Sequence, residues 1–482
     1  MSTELLTRSY KAAIREGKAC GPDNITPKDL KIHPESSIRG LYEVVQCSLA
    51  SGKFPSGWKI SKVTAVHKKG SKSDCSNYRP ISLLSIPSKV IEHLVCSQLT
   101  NHLNEHNLQN EHQWGFRSLR STEDILLHMT EKWRRALDAG QVVGVLFIDF
   151  RKAFDSVSHP ILLKKLSACG ISGDFYAYLE SYLSCRRQYT ALNGLTSSLA
   201  DVEFGVPQGS IIGPPSFSIS INDMNDCIDS DLDQFADDST AHAIGPTVDS
   251  VMVDIQGSAI QLENYAKRNS LTIHSDKCEI IILSKKKFVG PLIDVKISNK
   301  SVQVVSSSKC LGVTIDNELK WDTHTRNICK SFGQKVKKLF QMRQMPKSTL
   351  STIYFQGILP SVLYGIIIWG NCSASPMNSI EKIHIRAARF IHRLKKSIPD
   401  SAVISTVKWS TIANYYKRSL ACKAYKIYNK LTSPLLSNLL LRSKSKRETR
   451  NACKVDLPTF KYVDFKRSFQ YRSAIVWNNL YT

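Results

Sequence analysis

The apolar run Val145-Leu146-Phe147-Ile148 ends on Asp149, and a second strand-like stretch ends in the acidic pair of Phe235-Ala236-Asp237-Asp238. No other feature constrains the fold as much. Neighbouring aspartates repel one another, and their desolvation beside buried strands is costly. A chain that places them there is expected to neutralise them with cations. Hard carboxylate oxygens suit Mg²⁺. Two Mg²⁺ ions about 3.5–4 Å apart, bridged by carboxylates, stabilise both the attacking and the leaving oxygen of an in-line phosphoryl transfer. The expected chemistry is therefore nucleotidyl transfer.

With 482 residues and 42% hydrophobic content, the chain is long enough for several domains with ample cores. Its net charge of +24 is unevenly spread. Residues 321–482 hold 29 Lys or Arg against 6 Asp or Glu, whereas the first 320 positions are almost neutral. A near-neutral catalytic body joined to a basic C-terminal third fits a polyanion held along its phosphates, with affinity that falls steeply with salt. A merely soluble basic surface is the alternative. The 13 cysteines show no C-x-x-C spacing, which leaves neither a zinc knuckle nor a disulfide framework legible and points to a reducing compartment. The longest apolar stretch, around Ile358–Trp369, is too short to span a bilayer, and the N-terminus lacks a continuous apolar segment. The expectation is a soluble chain, cytoplasmic or nuclear, with no membrane partner.

Residues 85–108 carry helical spacing, with Val90, Leu94, Val95 and Leu99 on one face. Val142–Ile148 reads as a buried strand that delivers Asp149 at its end, and Leu232–Ala243 as a hairpin with Asp237 and Asp238 at its turn. Further strands are expected at Glu279–Leu283 and Leu311–Ile315, with a helix over Ile255–Arg268 before them. After residue 321 the pattern turns helical. Ile328, Phe332, Val336 and Leu339 form one apolar stripe, and Ile380, Ile383, Ala387, Phe390 and Leu394 a second, each flanked by Lys and Arg. The stripes are core, and only their basic flanks are candidates for nucleic-acid contact. The segment Arg442–Arg447 reads as an exposed basic linker.

Seven blocks in one order carry a resemblance: Gly21-Pro-Asp-Asn-Ile25, Asn77-Tyr-Arg-Pro-Ile-Ser82, Gln113-Trp-Gly-Phe-Arg117, Phe147-Ile-Asp-Phe-Arg-Lys-Ala-Phe-Asp155, Gly205-Val-Pro-Gln-Gly-Ser210, Phe235-Ala-Asp-Asp238 and Leu311-Gly-Val313. The chain resembles the reverse transcriptases of non-LTR (LINE-type) retrotransposons. Tyr364-Gly365, Trp369 and Trp477-Asn478 extend the likeness more weakly into the C-terminal third. The resemblance implies an α+β chain of right-hand polymerase architecture: fingers, a palm with an antiparallel sheet, a helical thumb and a basic helical C-terminal region. The expected division is an N-terminal segment at 1–45, fingers and palm at 46–320, a thumb-like region at 321–396 and a basic C-terminal region at 397–482. The implied activity is RNA-directed DNA synthesis. The implied partners are an RNA template, a DNA primer or target DNA, and dNTPs; the implied cofactor is a pair of Mg²⁺ ions.

On this resemblance Asp149 and Asp237 are the main metal ligands and Asp238 a weaker or indirect one; a single Asp after a strand otherwise serves as a cap. Phe154 stands where the family sets an aromatic ring against the nucleotide sugar, and a ring there would clash with a 2′-OH. It would otherwise be a core residue. Asp155 is assigned to capping the helix that follows. Gln208 falls in a motif that contacts the incoming nucleotide and template, with Gly205 and Gly209 permitting close backbone approach. Lys68 and Arg79 are the candidates for triphosphate contacts, with Lys62 and Lys69 as alternatives to Lys68. Lys277 matches the position of a Lys proposed as general acid for pyrophosphate departure.

The chain departs from the family in three places. Phe235 replaces the commoner Tyr, and Pro215-Ser216 replaces Leu-Leu, where an extra proline is expected to shift the first helical turn. Only about 20 residues precede Gly21, where complete elements carry an endonuclease, so target cleavage by this chain is not expected. A nucleic-acid-binding remnant without catalysis is the alternative function, and a group II intron-type maturase a more distant one.

Overall fold

The computed structural model describes residues 3–14, 17–286, 291–441 and 454–480. The linker reading for Arg442–Arg447 lies outside these residues. In chain order the strands are β1 (Ile60–His67), β2 (Tyr78–Leu83), β3 (Val142–Ile148), β4 (Arg186–Leu192), β5 (Leu195–Thr196), β6 (Ala200–Val202) and β7 (Asp231–Phe235). They continue with β8 (Asp238–Gly245), β9 (Glu279–Leu283), β10 (Lys296–Ile297), β11 (Lys300–Ser301), β12 (Gln303–Val304), β13 (Ser307–Cys310) and β14 (Val313–Asp316). The residues sort into two compact units that interleave along the chain. One holds 1–116, 149–229 and 260–274, and the other 117–148, 230–259 and 275–482.

The first unit is built on the sheet β2-β1-β4-β5, with β6 also paired to β4. Strands β1 and β2 are antiparallel, with Val66 opposite Arg79, whereas β1 and β4 run parallel. Its core includes Phe54 against Tyr182, edge to face at 5.0 Å, with the buried Arg186 guanidinium 4.8 Å from the Tyr182 ring centre. The expected helix over 85–108 is Ile86–Glu105, and Val90, Leu94, Val95 and Leu99 are all buried.

The second unit holds the sheet β12-β9-β3-β8-β7, antiparallel apart from the short parallel pair β12–β9. β3 lies at its centre, and six of its seven residues are buried, as a mostly apolar run requires. Gly144 interrupts that run for a steric reason. A Cβ there would lie 2.4 Å from Val251 Cγ1, so the helix Val248–Arg268 packs directly on the strand backbone. Helix Thr122–Asp138 is tied to the C-terminal region. Glu131, almost fully buried, accepts from the backbone N–H of Phe469 (2.7 Å) and Gln470 (3.0 Å), and Lys423 Nζ reaches Asp124 at 2.8 Å.

Beyond residue 321 the second unit is helical. In Asp322–Gln341 the expected stripe holds, with Phe332, Val336 and Leu339 buried. In Ala374–Ile391 the buried positions are Ile380, His384, Ala387, Ala388 and Ile391, a face rotated from the expected one because a histidine occupies its centre. His384 is held in the core by Tyr354 on Nδ1 and by the Ser410 carbonyl at 3.0 Å on Nε2. The strand expected over Leu311–Ile315 begins two residues later. Leu311 and Gly312 have φ of +44° and +86° and form the turn between β13 and β14.

Candidate active site

The acidic motif forms a two-residue hairpin turn. Phe235 pairs with Asp238, leaving Ala236 and Asp237 as the turn residues. Ala236 has φ of +57° and is buried, a left-handed conformation that normally favours glycine. Both carboxylate-bearing residues that follow it are exposed. In the adjacent β3, Ile148 pairs with Ser239, so Asp238 comes one residue before that pair, and Asp149 is the residue that follows Ile148 in the chain. On the other side of β3, Phe147 pairs with Glu279, which sets the exposed Lys277 just ahead of β9 at the same end of the sheet. Neighbouring strands lie about 4.8 Å apart, so the starts of β8 and β9 flank the end of β3 at roughly 10 Å from each other.

Carboxylate charge at this turn is felt by its surroundings. The Cys310 thiol is pushed up to about 12 by burial and by the neighbouring Asp238 and Asp233. Exposed carboxylates on a fixed turn, all hard oxygen donors, fit a divalent cation. His242 and Asp233 form a separate buried pair behind the turn. His242 Nε2 lies 3.5 Å from Asp233 Oδ2, and burial holds the imidazole down at about 4 despite the neighbouring carboxylate.

In the first unit Asp149 is partly buried, and its carbonyl accepts from His274 N–H at 2.7 Å; the next residues pair with 272–273. Phe154 stacks on the buried Phe217, with ring centres 4.5 Å apart, and meets Phe116 edge to face at 6.2 Å. It remains partly exposed, as a ring that meets a ligand must be. Gln208 Nε2 donates to Asp155 Oδ1 at 3.0 Å, and the Gln208 carbonyl accepts from Ser82 N–H at 2.8 Å.

Asp155 thus does not cap the following helix, and that expectation is corrected. Helix His159–Ala168 has Ser158 at its N-cap, and Asp155 sits in the short 3₁₀ turn Ala153–Ser156, where its carboxylate faces Gln208. Burial raises the Asp155 pKa, opposed by the hydrogen bond from Gln208 and the charges of Lys152 and Lys68. Lys68, exposed just beyond β1, is thereby placed with Asp155 and Gln208, while Arg79 is exposed on β2. Gly205 and Gly209 are required as expected. With φ of +85° and +131°, an added Cβ would come within 2.8 Å of the Asp155 backbone and 2.6 Å of the Ser82 carbonyl oxygen respectively.

Sequence reasoning missed Glu92. It is fully buried in helix Ile86–Glu105, and its Oε2 accepts from Ile211 N–H at 2.7 Å, with Ile212 N–H also donating to the carboxylate. It holds the segment just after Gln208, and its one signal was a carboxylate set among Val90, Ile91, Leu94 and Val95. Pro215 does not disturb its helix. It lies in the first turn of Gly213–Ser220, where backbone N–H groups have no partner within the helix and a missing donor is harmless.

The family model for reverse transcriptases (RNA-dependent DNA polymerases) matches residues 66–315, more than half of the chain. The chain belongs to the reverse transcriptase family. It is 29% identical over 405 residues to the probable RNA-directed DNA polymerase from transposon X-element of Drosophila melanogaster, covering 82% of this chain and 44% of that protein. To the RNA-directed DNA polymerase from mobile element jockey of the same fly it is 25% identical over 462 residues, covering 92% of this chain and 50% of that one. This reverse transcriptase chain therefore spans about half the length of the relatives it matches. Among solved structures, telomerase from Candida albicans in complex with a fragment of telomeric RNA aligns at a TM-score of 0.42 and 12% identity, over 78% of this chain and 71% of that one. The α+β class and the membership among relatives of non-LTR elements are as expected. Among the described residues no helix is long and apolar enough to cross a membrane.

Proposed function

We propose that the chain is an RNA-directed DNA polymerase of a non-LTR retrotransposon, adding dNTPs to a primer 3′-OH on an RNA template. The observation that carries this reading is the strand register that sets Asp237, Asp238 and Lys277 at the end of β3 from which Asp149 follows. Asp149 and Asp237 hold two Mg²⁺ ions, with Asp238 beside them. The metals, when bound, lower the charge barrier to attack on the α-phosphate and to departure of pyrophosphate.

The remaining roles fall to this chain's own side chains. Lys68, with Arg79 on the adjacent strand, neutralises triphosphate oxygens. Phe154, backed by Phe217, presents a fixed ring that excludes a 2′-OH. Gln208, tethered to Asp155, positions the nucleotide, and Lys277 delivers a proton to the leaving pyrophosphate. Residues 46–320 serve as fingers and palm after the N-terminal segment 1–45. The helices of 321–396 serve as thumb, and 397–482 as a basic region that grips template and primer phosphates. Work on nucleic acid places the protein in the cytoplasm or nucleus.

Primer extension on an RNA template with Mg²⁺ tests the reading. Wild type extends with dNTPs, while Asp237→Asn loses extension and keeps RNA binding. Full extension by the variant would refute the metal assignment. A folded wild type that binds RNA without extending any primer would select the non-catalytic remnant instead.

A further inference from the structure

In the first unit, the segment that carries Phe154 and the segment that carries Gln208 lie backbone against backbone. Gly205 N–H donates to the Val157 carbonyl at 2.8 Å, Val206 N–H donates to the Phe154 carbonyl at 2.9 Å, and Ser158 bridges to Phe204. Gln208 closes one end of this contact through Asp155. A histidine closes the other. His159 is the first residue of helix His159–Ala168 and only 9% exposed, and its Nε2 lies 2.7 Å from the Gly205 carbonyl oxygen. A carbonyl can only accept, so Nε2 carries the hydrogen and His159 is the donor. Burial lowers the His159 pKa against the pull of this bond, and a neutral ring is all the bond requires.

The place of the bond gives it reach. Gly205 has φ of +85° and no Cβ, so its own backbone does little to fix the peptide that follows. The Gly205 carbonyl and the Val206 N–H belong to that one planar peptide unit. His159 holds the unit by its oxygen, and the unit holds the Phe154 carbonyl by its N–H. Turning the plane would break both bonds together. The stack on Phe217 sets the tilt of the Phe154 ring, while the peptide plane holds the main chain that bears it.

We infer that His159 is a positioning residue for sugar selection: through the Gly205–Val206 peptide it fixes the backbone from which the Phe154 ring meets the nucleotide sugar. The inference rests on the polymerase reading, which assigns that ring to the sugar, and adds a buried residue that acts only through its neighbours.

The test is single-nucleotide extension with dNTPs and rNTPs by wild type, His159→Phe, His159→Gln, Phe154→Val and the double variant His159→Phe/Phe154→Val, with folding checked by circular dichroism. Phenylalanine keeps the ring and loses the donor, whereas glutamine sets an amide N–H as many bonds from Cβ as Nε2 is. His159→Phe should narrow the dNTP-to-rNTP ratio of kcat/KM roughly fivefold, the worth of one hydrogen bond, and His159→Gln should stay within about twofold of wild type. In the Phe154→Val background His159→Phe should change the ratio no further, because its effect runs through the ring. A histidine that only supports the fold predicts a lowered Tm with the ratio unmoved. That result, a glutamine variant as altered as phenylalanine, or an effect that persists in full without the Phe154 ring overturns the inference. If His159→Phe does not fold, His159→Asn, whose amide ends one bond short of Gly205, takes its place with the same expected outcomes. A wild type that extends no primer sinks the polymerase reading and this inference with it. A wild type whose sugar preference survives His159→Phe intact sinks the inference alone.

Discussion

Replacing Glu92 by alanine should destabilise the protein far more than replacing it by glutamine. The buried carboxylate accepts backbone N–H groups from Ile211 and Ile212, and Ser88 Oγ lies 3.4 Å from its other oxygen. Glu92→Ala leaves two buried donors without acceptors, at about 1–3 kcal/mol each, and opens a cavity besides. The expected loss is about 3–6 kcal/mol, a large part of the 5–15 kcal/mol that typically holds a protein folded. Glu92→Gln keeps one oxygen for the two N–H groups and turns its amide towards the Ser88 hydroxyl, so its loss should stay near 1 kcal/mol. Urea denaturation of both variants measures the difference. Because Ile211 follows the Gln208 loop by three residues, Glu92→Gln should also leave the KM for dNTP nearly unchanged, whereas any folded Glu92→Ala should raise it. An alanine variant within about 0.5 kcal/mol of wild type, or a glutamine variant as damaged as alanine, would refute the anchoring argument.

Three further outcomes are expected. Ala236→Val forces a β-branched side chain into the left-handed turn conformation and should cost more than about 2 kcal/mol, read as a lowered Tm; an unchanged Tm would show that the turn is not strained. The buried His242, His324 and His384 are each held down to about 4, so the unfolded chain binds more protons as pH falls below about 6.5. Their contribution is complete above about pH 6.5 and lost as pH drops towards 4, so unfolding midpoints should fall across that window, and a flat profile would contradict the burial. Phe154→Val should narrow the preference for dNTPs over rNTPs in single-nucleotide extension by roughly tenfold or more, about 1.4 kcal/mol of selectivity. Unaltered selectivity would make Phe154 a packing residue only.

Much of the site was legible because its chemistry is local. The apolar run Val142–Ile148 announces a buried strand, and Phe235–Asp238 a hairpin turn, since both depend on patterns a few residues long. What escaped reading depends on distant partners. Asp155 is read as a helix cap because the resemblance gives the metal role to Asp149, yet its partner, Gln208, lies 53 positions away. Glu92 and His159 were invisible for the same reason: a polar group on an inner face acquires meaning only from the backbone groups of another element. The rotated face of Ala374–Ile391 follows suit, because periodicity counts apolar residues and cannot credit a histidine satisfied by a tyrosine and a carbonyl.

The central position of β3 also sets a schedule for synthesis. Its partners on either side, β8 and β9, occupy residues 238–245 and 279–283, so the strand emerges from the ribosome long before it can be covered. At about 5–20 residues per second, the 97 positions between Ile148 and Gly245 take roughly 5–19 s to appear, and β9 follows later still. Until β8 is made, a seven-residue, β-prone and almost wholly apolar segment has no native partner strand. The feature that delivers Asp149 to the end of a rigid strand therefore leaves an aggregation-prone segment uncovered on the nascent chain, and yields of this protein should rise when holdase chaperones are supplied during synthesis.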